Sequence, residues 1–236
     1  MGVITLSVDE YEAISEKLST TKPKNPREDR DLYRTRPNLA EPLTQVVVDM
    51  VKKIHLGSGL LCNQKDPIYV LEPGCYDGPF LKAFNKAWDG RAPLCLTGVD
   101  IIDEPEDFDS ENAEYEKLDY LALTENDKSF LKSTVILGNP PFSLAEEFVR
   151  TSMELVDKDG VVAMLLQSGF LGAIRRREFF KQFTPWEINM LVPRAGFVRE
   201  GKSNGTDMRE YILALWRPWN PPGATQFKWL DWKEEK

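Results

Sequence analysis

Asn139, Pro140, Pro141 and Phe142 follow directly after the apolar run STVILG. Each proline fixes its φ at about −65° and lacks a backbone N–H, so the pair forms a stiff turn that has few donors. The carbonyl oxygens of that turn and the side-chain oxygen of Asn139 are acceptors, and Phe142 adds an aromatic ring. Two acceptors beside a ring suit an exocyclic –NH2 group on a stacked planar base. The alternative is a rigid proline turn that only ends a strand.

A second candidate is the turn 72–78, which reads EPGCYDG. An acid, Glu72, lies at the end of an apolar run, and glycine lets a backbone approach a ligand closely. The turn is not GxGxxG and no GKS or GKT follows it directly, so a phosphate-binding P-loop is not expected. The acid suits a hydroxyl-bearing or positively charged ligand. The alternative is a plain turn from a strand into a helix.

Asp100 ends the next apolar run, LCLTGVD. A carboxylate at the end of the second strand of a parallel sheet can accept both hydroxyls of a ribose, and it usually lies about 20 residues beyond the glycine turn. Asp100 has that spacing from Gly78. A carboxylate that caps the following backbone is the alternative.

The elements that must position these residues follow from hydrophobic periodicity. The pattern predicts strands at 68–73, 94–100, 133–139, 160–167, 187–193 and 209–216, and helices at 8–20, from about 40, and at 80–88, 143–156 and 177–183. Strands that alternate with helices at this spacing indicate an α/β, doubly wound, mostly parallel sheet. Ligands bind at the carboxyl ends of strands in such sheets, where all three motifs lie.

Composition and cysteine content exclude several classes of protein. The 236 residues are 42% hydrophobic and 29% charged, as in ordinary globular proteins. Three cysteines without CxxC spacing and a single histidine, His55, argue against a disulfide framework, a histidine triad or a metal centre. The longest apolar run, 161–166, is too short to span a membrane, and the N-terminus lacks a signal-peptide pattern. We therefore expect a cytoplasmic protein with no membrane partner.

The negative charge of the chain is local. The formal net charge is −8, but the segment 103–116 contains eight acidic residues and no basic one. The rest of the chain is balanced, so the composition does not exclude a polyanionic partner.

On the NPPF tetrapeptide, the LEPGCYDG turn and Asp100, the chain resembles class I S-adenosylmethionine-dependent methyltransferases that methylate amino groups. It is most similar to the N6-adenine DNA methyltransferases. NPPF is the specific part of the resemblance, which runs from about Tyr33 to Trp216. The segment YRTRPNLAEPL precedes the other motifs, which is the gamma-type motif order of that family.

The resemblance implies a seven-stranded, Rossmann-like methyltransferase fold and S-adenosyl-L-methionine as the cofactor, with no metal. It implies catalytic roles for Asn139, Pro140, Pro141 and Phe142. It implies cofactor contacts for Tyr33, Thr35, Pro37, Glu72, Gly74, Asp77, Gly78, Asp100, Ile101, Asp119, Tyr120 and Asn139. In this reading Asp100 binds the ribose, and Asp119 accepts from the amino group of the cofactor's adenine.

The chain departs from the family pattern at two points. Tyr76 stands where the family usually has glycine, and its ring either crowds the cofactor or lies away from it. About 20 residues follow Trp216, too few for a target-recognition domain. We expect loops, a separate recognition subunit or a homodimer to supply any sequence specificity.

Two basic loops are candidates for nucleic-acid binding. Arg175, Arg176 and Arg177 form one cluster that can contact phosphates. Lys202 lies in a second basic segment, where Phe197 can stack a base that has been displaced from a duplex. A solvated surface is the alternative for both loops. The tryptophans near the C-terminus are expected to pack against a strand rather than to stack bases: Trp216, Trp219, Trp229 and Trp232.

The sequence thus predicts methyl transfer to an exocyclic amino group, with N6 of adenine in DNA favoured. RNA (adenine N6 or guanine N2) and protein glutamine remain alternative substrates. A catalytically degenerate module that binds nucleic acid or a partner is the alternative from another class. We expect an N-terminal helix and basic arm over 1–32, a methyltransferase domain over 33–217 and a C-terminal extension over 218–236.

Overall fold

The computed structural model describes residues 34–57, 66–89, 92–195, 209–219 and 224–233. Several predictions from the sequence lie outside these ranges: the helix at 8–20, and the roles of Tyr33, Phe197 and Lys202.

Strands and helices alternate along the described chain. The helices are α1 (Pro37–Gly57), α2 (Pro79–Ala87), α3 (Glu125–Phe130), α4 (Ala145–Leu155) and α5 (Arg177–Gln182). The strands are β1 (Ile68–Pro73), β2 (Leu94–Asp100), β3 (Glu114–Lys117), β4 (Ser133–Gly138), β5 (Val156–Gln167), β6 (Glu187–Val192), β7 (Tyr211–Trp216) and β8 (Gln226–Asp231). Short 3-10 turns at Ser168–Phe170 and Ile174–Arg176 connect β5 to α5.

The strands form one sheet in the order β3-β2-β1-β4-β5-β7-β6-β8. The pairs from β3 to β5 are parallel, and β7 is antiparallel to both of its neighbours. The strand order reverses between β1 and β4, and ligands bind at such a switch point, outside the carboxyl ends of the strands. The sequence motifs at 72–78 and 139–142 follow these two strands.

Helices cover the sheet on both faces. Leu39, Leu43 and Val47 of α1 lie four residues apart, so they form one apolar stripe, and they are buried in the same cluster as Phe80 and Phe84 of α2. Each of these phenylalanines contributes about 1.5–3 kcal/mol through burial. A second cluster lies around α4 and α5 and includes Phe148, Val149 and Phe179. Within the described ranges, each helix is too short or too polar to span a bilayer.

The predicted fold class is confirmed, but the strand count is not. Seven strands were expected, and eight lie within the described residues. The additional strand, β8, pairs in parallel with β6 at one edge of the sheet. Its side chains are mostly exposed, so it lacks the apolar run by which buried strands are recognised.

The C-terminal tryptophans divide into two groups. Trp216 and Trp232 are buried, as the sequence predicted. Trp219 and Trp229 are 81% and 71% exposed, so the prediction that they pack is wrong. Trp229 points to the outside of the edge strand β8, where it meets only Phe227 among the aromatic rings of the described residues.

Candidate active site

Glu72 lies at the carboxyl end of β1 and caps α2 from a distance. Its Oε2 accepts hydrogen bonds from the backbone N–H groups of Phe80 and Leu81, at 3.1 and 3.0 Å. Pro79 has no N–H, so these are the first donors of the helix. Glu72 is only 2% exposed. Burial raises the pKa of its carboxyl well above the ordinary value, although the two backbone donors oppose the shift.

The loop after Glu72 uses the left-handed region of φ three times. Gly74 and Gly78 have φ of 66° and 69°, which glycine adopts without strain. Tyr76 has φ 48°, which is uncommon for a residue with a side chain. Its backbone N–H donates to Asp100 Oδ2 at 3.0 Å, and this bond helps to hold the conformation.

Asp100 therefore joins the ends of β1 and β2. Its second oxygen, Oδ1, accepts from the N–H of Ile101 at 2.7 Å. Each carboxylate oxygen has two lone pairs, so the group can accept further hydrogen bonds, such as those of a diol. The side chain of Ile101, directly beyond it, is 58% exposed and apolar.

An ion-pair cluster lies beside this loop. Arg34 pairs with Asp77 at 3.1 Å and also with Asp107 of the long loop after β2. Lys82 of α2 lies 3.5 Å from Asp77 and donates to the carbonyl of Asp107 at 2.6 Å. We call these four residues the clasp, because they connect the segment before α1 to the loops after β1 and β2.

The NPPF turn follows β4 beside the end of β1. A Cβ on Gly138 would lie 3.1 Å from the carbonyl oxygen of Pro73, which is closer than an ordinary contact, so a side chain here would require the two strand ends to shift by a few tenths of an ångström. Asn139 Nδ2 donates to Thr35 Oγ1 at 3.1 Å. The ring of Phe142 is half-buried, with its centre 5.6 Å from that of Tyr211 on β7.

A pocket that is open to solvent brings the turn after β1 together with Asn139. It is lined by Arg34, Thr35, Glu72, Gly74, Cys75, Tyr76, Asp77, Pro79 and Asn139. The sequence singled out Thr35, Glu72, Gly74, Asp77 and Asn139 of this set. It singled out Tyr76 as a departure from the family pattern, and it gave no cofactor-binding role to Arg34, Cys75 or Pro79, although all three lie within or next to the motifs.

The other predicted cofactor residues lie around this pocket rather than in its lining. Pro37 begins α1 two residues after Thr35. Asp119 is exposed just beyond β3 and accepts from the N–H of Leu121 at 2.9 Å. Tyr120 is buried, and its hydroxyl forms a hydrogen bond of 2.9 Å with Ser152 of α4, so it anchors the segment after β3 to that helix.

The basic cluster after β5 is divided by burial. Arg175 and Arg177 are exposed, as a phosphate contact requires. Arg176 is only 6% exposed: its guanidinium lies 4.2 Å from the centre of the Phe170 ring and 3.5 Å from Glu146. Burial, together with the charge of Arg175, lowers the pKa of Arg176. The expected phosphate contact of Arg176 is therefore corrected to a packing role.

Several solved structures with a similar fold are named as methyltransferases. A type I restriction-modification methyltransferase subunit from Streptococcus thermophilus superimposes with a TM-score of 0.61 at 14% identity, over 94% of this chain and 51% of that one. A candidate class I S-adenosylmethionine-dependent methyltransferase from Listeria monocytogenes gives a TM-score of 0.58 at 15% identity, over 94% of this chain and 73% of that one. This chain has the class I methyltransferase fold.

A third methyltransferase-fold structure, a candidate RNA methyltransferase from Pyrococcus horikoshii, gives a TM-score of 0.54 at 15% identity, over 87% of this chain and 97% of that one. The chain spans about half the length of the type I subunit and most of the archaeal protein. No protein-family model and no curated protein matches the sequence. At these identities the likeness concerns the fold, and the site must be judged on its own residues.

Proposed function

We propose that this protein transfers a methyl group from S-adenosyl-L-methionine to an exocyclic amino group, and that its substrate is N6 of adenine in DNA. One observation carries the proposal: Asn139 of the NPPF turn lines the same pocket as Glu72, Gly74 and Asp77. An acceptor-rich turn and an acid-lined pocket thus meet at the switch point of the sheet, where this fold binds ligands.

The donor and acceptor groups around the pocket fit this cofactor. Glu72 and Asp77 place carboxyl groups in the lining, whose oxygens can accept hydrogen bonds from its ammonium group. Asp100 can accept from the ribose hydroxyls, and the exposed face of Ile101 offers an apolar surface for the adenine. Asp119 lies exposed beyond β3, where it can accept from the adenine amino group.

When bound, the cofactor would supply a methyl group on a sulfonium: the nitrogen lone pair forms the new N–CH3 bond as the S–CH3 bond breaks, S-adenosylhomocysteine leaves, and the amine loses one proton to solvent. The task of the chain is then to hold the amino group. Asn139 and the carbonyl of Pro140 accept its two hydrogens, and Phe142, backed by Tyr211, stacks on the base. Because the sulfonium is a good leaving group, no strong general base is required, and orientation provides most of the acceleration.

The exposed arginines favour a nucleic acid as the substrate. Arg175 and Arg177 follow β5, whose carboxyl end lies beside that of β4. Phosphate contacts there would position a strand, while an enzyme that works on the amino group of a paired base must extrude the nucleotide. The name of the Streptococcus subunit points to DNA and to partner subunits, and that of the Pyrococcus protein points to RNA.

The experiment is a partition assay with S-adenosylmethionine that carries a tritiated methyl group. DNA, RNA and protein are offered separately and then together to the wild-type protein and to Asn139→Ala. We expect label in DNA with the wild type and at least a hundredfold less with the variant. Label in RNA or protein alone would contradict the choice of substrate. No label in any of them, together with no heat of cofactor binding, would favour a degenerate binding module.

A further inference from the structure

The hydrogen bond between Asn139 and Thr35 joins residues 104 positions apart in the chain. Nδ2 of Asn139 donates to Oγ1 of Thr35 at 3.1 Å. Thr35 is only 4% exposed, so water competes little for this bond. Sheltered from solvent, the bond has a stronger electrostatic component than it would have at the surface.

Thr35 is held on both sides. Arg34, immediately before it, pairs with Asp77 and Asp107 in the clasp. Arg36, immediately after it, accepts at its carbonyl from the N–H groups of Leu39 and Ala40 at the start of α1, at 3.0 and 2.9 Å. The Thr35 hydroxyl is therefore a fixed reference point for the side chain that it contacts.

The orientation of the Asn139 amide decides whether the turn can bind an amine. With Nδ2 on Thr35, the other end of the amide is the acceptor Oδ1, which is buried in this structure and can accept from an –NH2 group that reaches it. If the amide were turned over, its own –NH2 would face the substrate's –NH2, donor against donor. The proline pair does not decide between the two orientations, because the prolines fix only the backbone of the turn, so the orientation of the amide depends on the contacts of the Asn139 side chain.

We propose that Thr35 is a positioning residue that sets the orientation of the Asn139 amide. This inference rests on the proposed function, because it assigns the hydroxyl a role toward the amine rather than only toward the cofactor. Thr35 also lines the pocket. A hydroxyl that donates its hydrogen to an acceptor in the pocket can only accept from Asn139, so a bound cofactor carboxylate would reinforce the productive orientation.

Two variants separate the hydroxyl from the shape of the side chain. Thr35→Val keeps the volume and removes Oγ1, whereas Thr35→Ser keeps Oγ1. We expect kcat to fall at least about tenfold in Thr35→Val, which corresponds to one hydrogen bond lost from the transition state, and to be largely restored in Thr35→Ser. KM for the nucleic acid and the affinity for S-adenosylhomocysteine, measured by calorimetry, should change less than about threefold in Thr35→Ser.

A second readout does not depend on turnover. The side-chain –NH2 signals of Asn139 in a ¹⁵N–¹H spectrum are identified by their loss in Asn139→Ala. They should move in Thr35→Val and stay near the wild-type position in Thr35→Ser, and S-adenosylhomocysteine should shift them only when Oγ1 is present. A wild-type kcat in Thr35→Val, or unmoved signals, would overturn the inference. If the wild type methylates nothing while the signals respond as expected, the proposed function fails and the contact between the two residues stands.

Discussion

The guanidinium of Arg34 lies over the ring of Tyr76, 5.1 Å from its centre. The same guanidinium is paired with Asp77, so the ring is held against the clasp at the wall of the pocket. A cation over an aromatic face contributes about 0.5–1 kcal/mol at an exposed site. This is comparable to the cost of the left-handed φ of Tyr76, about 1–2 kcal/mol.

Tyr76→Gly tests whether the ring forms a wall or an obstruction. We expect the affinity for S-adenosylmethionine to fall about three- to tenfold, because Arg34 and the segment with Thr35 lose their support. Thermal stability should change little, since relief of the backbone strain offsets the lost ring contact. Calorimetry with the cofactor gives the affinity. Arg34→Met is the control, because it removes the guanidinium and leaves the ring of Tyr76 in place. Tighter binding in Tyr76→Gly would mean that the ring obstructs the pocket.

Glu72→Gln tests the buried carboxyl. The pKa of Glu72 is raised in the folded state, and an unfolded glutamate has a pKa of about 4.3. The folded state therefore binds the proton more tightly, and the stability gained from the protonated form is lost as the pH rises from the unfolded toward the folded pKa. Glutamine removes this dependence. We expect the substitution to raise Tm more at pH 7.5 than at pH 4. Each kcal/mol gained in the free energy of unfolding corresponds to about 2–4 °C in Tm.

The same substitution should weaken cofactor binding about tenfold, because an amide –NH2 replaces one of the two acceptor oxygens that line the pocket. Glu178→Gln, at an exposed ion pair with Lys181, is the control and should leave Tm unchanged. An equal fall in Tm at both pH values would show that capping of α2, rather than the buried charge, dominates the effect.

The neighbouring arginines should respond in opposite ways. Arg176→Met removes a buried guanidinium from Phe170 and Glu146, and we expect a loss of about 1–3 kcal/mol in the free energy of unfolding. Arg175→Met should leave stability unchanged but weaken DNA binding. The slope of log K against the logarithm of the salt concentration should become smaller in magnitude by about 1. Denaturant titration and binding assays at several salt concentrations measure the two effects. A salt effect in Arg176→Met alone would reverse the assignment.

Gly138→Ala tests the close approach of β4 to β1. The new Cβ would lie 3.1 Å from the carbonyl oxygen of Pro73, so one of the two strand ends must shift by a few tenths of an ångström, and Asn139 directly follows Gly138. We expect a loss of about 1–3 kcal/mol in stability and a larger proportional loss of kcat than of cofactor affinity. Gly172→Ala is the matched control, because its Cβ would meet no atom within 4 Å. Full activity in Gly138→Ala would show that the position of the turn is not critical.

The buried strands and the covering helices could be predicted from the sequence because they carry strong hydrophobic patterns. Tyr211–Trp216 is buried at every position, and it reads as a strand without any knowledge of its neighbours. The edge strands β3 and β8 were not predicted. Glu114–Lys117 reads EYEK and has no buried residue, so its pairing to β2 is set by the sheet rather than by its own side chains.

The site could be predicted where chemistry and sequence position coincide. The proline turn and the turn after β1 were found because residue type and strand end occur together in the sequence. The contact of Asn139 with Thr35 was not, because a hydrogen bond across 104 residues leaves no local pattern. Arg176 was misassigned for a related reason: burial against Phe170 depends on the path of a turn, and three successive arginines look alike in sequence.

Mass spectrometry of nucleosides is the most direct test of the central claim. DNA without adenine methylation is incubated with the protein and S-adenosylmethionine, then digested to nucleosides, with Asn139→Ala in parallel. We predict N6-methyldeoxyadenosine with the wild type and none above background with the variant. Unmodified nucleosides from the wild-type reaction, or equal yields from the two proteins, would contradict the account.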